Sequence, residues 1–156
     1  MSLGAAPGTD ARRLAPLLWL LLGLFCLRVL GQILVAFFGV GWLPPMKEWY
    51  SGLLPYPLLL PAQILIIALY GKVCLDFSRG RGPSLELRPA FGGWVWWFGW
   101  IYLGGMLQRY VLRMALVPEA RWFGGTIPIF FHWVLATFIL LFASFHRRHA
   151  FAGESA

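Results

Sequence analysis

Arg28 and Gln32 stand four residues apart inside one apolar stretch, and Arg109 and Arg113 stand four apart inside another. Residues at that spacing share a helix face. An arginine buried in an apolar segment is expensive and marks a functional site by default. Its guanidinium fork suits the geometry of phosphate and carboxylate. Gln63, Gln108 and His132 also interrupt apolar stretches and can add neutral hydrogen bonds. Glu48 and Glu119 are the carboxylates that could balance the arginines, and both lie in connections. Arg28, Arg109 and Arg113 set against those two leave one positive charge, which a bound anion would complete. The candidate ligand-binding set is therefore Arg28, Gln32, Gln63, Gln108, Arg109, Arg113 and His132, with Glu48 and Glu119 as counter-charges. The competing reading is structural. Arg109 and Arg113 would snorkel to headgroups, and Arg28 would bond to carbonyls or glutamines of a neighbouring helix as packing glue.

Other chemistry is sparse. Lys72 and Asp76, four apart, read as an intrahelical ion pair. His132 has no histidine at matching depth for bis-histidyl haem ligation, and His146 and His149 fall short of the three or four ligands of a metal site. Cys26 and Cys74 lie at different depths, out of disulfide reach. Nucleophile-elbow, phosphate-loop and zinc-protease motifs are missing. The expectation is no catalytic residue, no metal and no cofactor, with the balance against an enzyme.

The elements that carry these residues follow from composition. Of 156 residues, 60% are hydrophobic and 12% charged. Soluble domains average about 25% charged, and the mean hydropathy is +0.71. A soluble globule of this size could not hide so much apolar surface. The disordered, collagenous and disulfide-scaffold classes are excluded as well. A spanning helix needs about 20 mostly apolar residues. Four stretches qualify, at about 14–38, 57–77, 91–116 and 127–145. The fold class expected is an all-α integral membrane protein: a four-transmembrane-helix bundle in residues 14–145. A 1–13 N-terminal arm precedes it and a basic 146–156 tail follows. The first stretch reads as an uncleaved span, being too long for a signal peptide's apolar region.

Basic residues set the orientation. Arg12, Arg13, Arg79, Arg81, Arg88, Arg147 and Arg148 put both termini and the second connection in the cytoplasm. By helical rise, Arg28 then sits about 20 Å up the first span and Gln32 a turn higher, while Gln63 and His132 lie within about 10 Å of their outer ends. Gln108, Arg109 and Arg113 lie about 25 to 35 Å up the third. The cluster thus belongs to the outer half. The cytoplasmic arginines form a collar facing anionic lipid, which accounts for the net charge of +7 without nucleic acid.

Trp94, Trp96, Trp97 and Trp100 at one end and Trp42, Trp49, Tyr50, Tyr56 and Trp122 at the other read as interfacial belts. In the first outer connection Met46, Trp49, Tyr50 and Leu53 fall on one helical face, bounded by Pro45 and Gly52. This predicts a short interfacial helix, or a lid over an opening between the spans. The run Trp49-Tyr50-Ser51-Gly52-Leu53 superficially resembles the tryptophan-rich sensory/translocator family. That family continues with lysine-proline and uses five spans, so no ligand is carried over from it.

Arginine-dominated basic usage suits a bacterial inner membrane. Three functions fit these residues: binding an anionic lipid or other amphiphile in the outer half, serving as an accessory or assembly subunit of a larger membrane complex, or acting as a small carrier or enzyme on a lipid-like substrate. The partners expected are the lipid bilayer, a bound anionic lipid and a larger membrane complex, with no nucleic acid.

Overall fold

The structure is a computed structural model that describes residues 7–49, 55–86, 89–116 and 127–153. The described residues are all helical, with no strand. Four long helices form: α1 (Pro7–Phe38), α3 (Tyr56–Arg79), α4 (Pro89–Leu116) and α5 (Ile127–Gly153). A one-turn helix, α2 (Met46–Trp49), follows α1, and a 3₁₀ turn at Pro83–Leu85 follows α3. Three of the long helices, α1, α3 and α5, are apolar enough to cross a membrane. α4 falls short on hydropathy because its first half is dominated by glycine and tryptophan, although its 28 residues reach about 42 Å.

α1 is the central element. Its buried residues Ala11, Ala15, Leu18, Leu22, Phe25, Val29 and Gln32 alternate steps of four and three, the narrow apolar seam of coiled-coil packing. The helix begins at Pro7, well before Leu14, with Asp10 in its first turn, where a carboxylate suits the positive end of the helix dipole. Small residues bring α3 close there: a Cβ on Gly8 would meet the Gly80 carbonyl at 2.7 Å. α1 packs against both α3 and α5. α3 also reaches α5 through aromatic side chains, with Tyr70 stacked on Phe138 at 3.9 Å and Phe77 against Phe145 at 4.9 Å. One core cluster gathers Leu18, Leu22, Cys74, Phe77, Val134 and Phe138, with Cys26 packed against it. Cys26 and Cys74 are both free thiols.

α4 lies along α5. Among its described residues, Gly92 and Gly99 alone are fully buried. A Cβ on Gly99 would meet Leu140 Cδ2 at 2.8 Å, and one on Gly92 would meet the His146 Cβ at 3.0 Å, so α4 approaches α5 through the absence of side chains. Its other faces expose Trp94, Trp97, Phe98 and Ile101, the reverse of what water tolerates over a large area.

The C-terminus of α3 is closed tightly. Gly80 is left-handed (φ 65°), its N–H donates to the Phe77 carbonyl, and the Arg81 N–H donates to that of Asp76, the paired bonds of a Schellman cap. Lys72 Nζ donates to Asp76 at 3.0 Å, the ion pair expected from spacing, and the Ser84 N–H also donates to that carboxylate at 3.1 Å. The Ser84 carbonyl accepts from Nε2 of the buried His146 at 3.1 Å, fastening this turn to α5. Tyr50, Gly52, Leu53, Arg88, Glu119 and Trp122 lie outside the described residues.

Candidate functional site

The α1 seam turns polar at its far end. Arg28 and Gln32 are buried there, at 6% and 1% exposure, one turn apart on the face that meets α3 and α5. Because α3 packs on α1, Gln63, itself buried, donates from Nε2 to Gln32 Oε1 at 3.0 Å. Arg28 donates to the Trp49 carbonyl at 3.3 Å and its guanidinium lies 5.7 Å from the centre of the Phe131 ring. Cation–π attraction is strongest where the cation is desolvated. Among the described residues no carboxylate bridges Arg28.

Trp49 covers this region. Its indole lies against Gly31, where a Cβ would meet the ring at 2.5 Å. Its Nε1 donates to the Pro44 carbonyl at 2.8 Å, which holds α2 over α1 and α5. On the α5 side, His132 Nδ1 and the Tyr102 hydroxyl of α4 are hydrogen-bonded, with their rings edge to face. Arg28 and Arg109 are both within electrostatic range of His132.

The neighbourhood therefore holds Arg28, Gln32 and Gln63, with His132 on its α5 side and Arg109 within electrostatic range of His132. Gln108 is exposed, and Arg113 on the last turn of α4 is half-buried. Glu48 is half-buried on α2. Trp49 joins the site from the short helix that the sequence offers as interfacial or as a lid, and Tyr102 joins it from among residues whose type suits helix packing equally well. Tyr102 stands seven residues before Arg109, on the same helix face, and that spacing is the one clue to it.

Three buried polar atoms here lack hydrogen-bond partners among the described residues: Arg28 Nε, Gln32 Nε2 and Gln63 Oε1. Buried polar groups are almost always paired, and an unpaired donor on a cation costs more than a neutral one. Two of the three are donors, one of them cationic. A ligand oxygen with negative charge is the complement such a pair calls for. The arrangement has no activated nucleophile, and no group of three or more metal-ligating side chains occurs among the described residues.

Fold and site together define a helical membrane-protein class with a buried, cation-bearing polar core at one end. Comparison of the chain with protein-family models, curated proteins and solved structures finds no match.

Proposed function

We propose that the chain is a four-span membrane protein that binds the anionic headgroup of a lipid or similar amphiphile in the outer half of its helices. Parity supports four crossings. Asp10 at the start of α1 and His149 near the end of α5 lie 3.4 Å apart, so the two ends of the chain share one side. Three crossings by α1, α3 and α5 would leave them on opposite sides. The fourth crossing falls to α4, which accompanies α5 from Gly92 beside His146 to Tyr110 against Trp133. The basic connections assign the shared side to the cytoplasm, and a bacterial inner membrane suits this arginine-rich chain.

The observation that carries the binding role is the buried Arg28 with an unpaired Nε, one helical turn from the unpaired Nε2 of the buried Gln32. Arg28 would supply charge, and Gln32, Gln63 and His132 would supply neutral hydrogen bonds. Trp49 would cover the site and open it by lifting from Gly31. Arg109 and Arg113 would attract the headgroup from the rim.

Native mass spectrometry of the purified chain in mild detergent tests this. The wild type is expected to retain an anionic amphiphile, and Arg28→Gln to retain less of it while remaining folded. Equal lipid retention by both proteins would sink the reading.

An accessory-subunit role has its own support in α4. That helix packs chiefly on α5, and Gly93, Gly104 and Gly105 have open space beside them, as small residues do where another membrane helix can approach. Stoichiometric recovery of a second membrane protein in mild detergent would favour it.

A further inference from the structure

At the opposite end of the molecule, the first turns of α1 and the last turns of α5 enclose a cleft of about 290 Å³. Arg13 stands on one wall and Arg148 on the other, with Asp10 and His149 paired across the rim. Leu14, Leu141 and Phe145 form the apolar floor.

The arginines at this end divide into two kinds. Arg12 donates to the Arg79 carbonyl at 3.0 Å, fastening α1 to α3. Arg147 lies over the Trp96 ring at 4.8 Å, fastening α5 to α4. Arg13 and Arg148, their immediate neighbours, make no such contact among the described residues. Both are exposed, and both line this one cleft from different helices. Guanidinium groups on facing walls match a group with several anionic oxygens. The apolar floor beneath them matches hydrocarbon.

We propose that this cleft is a second, specific site for the phosphodiester of an anionic phospholipid. The phosphate lies between Arg13 and Arg148, and the acyl chains run over Leu14 and Leu141 toward the bilayer interior. The volume seats a headgroup and leaves the chains outside in the lipid phase. Each wall of the cleft is a helix end, the depth at which headgroups lie. The proposal rests on the membrane reading but is independent of the Arg28 site. Arg13 and Arg28 are separated by about 22 Å of helix, so one headgroup cannot serve both.

The test uses the full chain in detergent, titrated separately with phosphatidylglycerol, phosphatidylcholine and inorganic phosphate under native mass spectrometry. In an R28Q background, which empties the outer site, phosphatidylglycerol is expected to bind with at least about tenfold higher affinity than phosphatidylcholine, and adding R13Q/R148Q to remove that preference. R13K/R148K, which keeps both charges, is expected to retain part of it and guards against misfolding as the explanation. In the otherwise wild-type chain, R13Q/R148Q is expected to leave the outer site's anionic amphiphile bound, so either site can fail without the other. In the R28Q background, equal binding of the two lipids, or a preference that survives R13Q/R148Q, overturns the proposal. So does inorganic phosphate at millimolar concentration displacing the lipid, which would make the site one for a soluble anion.

Discussion

Arg28 poses the sharpest question at the residue scale. Burying a guanidinium with no carboxylate bridging it among the described residues is costly, and replacing buried charged groups with well-packed apolar side chains of similar size is often neutral or stabilising. Arg28 contributes one hydrogen bond, to the Trp49 carbonyl, and one aromatic contact. If its purpose is ligand binding, Arg28→Met should shift the melting temperature of the delipidated protein by no more than about 4 °C, the change that about 1 kcal/mol produces in a chain of this size. The same variant should bind no anionic lipid at the outer site. A fall several times larger, by thermal unfolding in detergent, would mark Arg28 as packing glue. The sequence already exposes Arg28, Gln32 and Gln63 as misplaced polar residues, because an apolar background makes each conspicuous. It hides Tyr102 and leaves Trp49 between an anchor and a lid, since an aromatic residue in such a chain has an adequate explanation as an anchor or a core filler. Only the indole lying on Gly31 and the hydroxyl meeting His132 distinguish them.

Among the elements, α1 and α4 are opposites. α1 presents a seam of small and large apolar residues to its two neighbours, and its existence is readable from hydropathy alone. The early start at Pro7 is less readable, because it depends on Gly8 and Arg12 meeting the end of α3. α4 is held by what two glycines omit, and a glycine's packing role cannot be known without its partner surface. Gly99→Leu should therefore destabilise the protein by about 1–3 kcal/mol through overpacking against Leu140, measured by reversible unfolding in detergent. A Cβ at Gly104 would have nothing within 4 Å, and Gly104→Leu should change stability by no more than about 0.5 kcal/mol. Equal losses at both positions would show that helix α4 is not seated on α5 through Gly99. A selective loss at Gly104 would instead reveal a covering helix from another protein.

For the molecule as a whole, the decisive quantity is the number of crossings. Arg13 and Arg148 share one cleft, and the turn after α3 is tied to both ends: Arg12 bonds to Arg79, and His146 bonds to Ser84. The start of α1, the end of α3 and the end of α5 therefore sit at one level, and the α2 connection sits at the other. The four crossings proposed above would satisfy this, and three would not. In a background with Cys26 and Cys74 replaced by alanine, single cysteines at Arg13, Arg81 and Arg148 should react with an impermeant maleimide from the same side of the membrane. A cysteine at Gly41 should react from the other. Positive-inside bias further predicts that intact cells label Gly41→Cys and leave the three arginine positions unlabelled until the membrane is permeabilised. Labelling of Arg13→Cys and Arg148→Cys from opposite sides would leave α4 outside the bilayer. It would also separate the two walls of the proposed headgroup cleft.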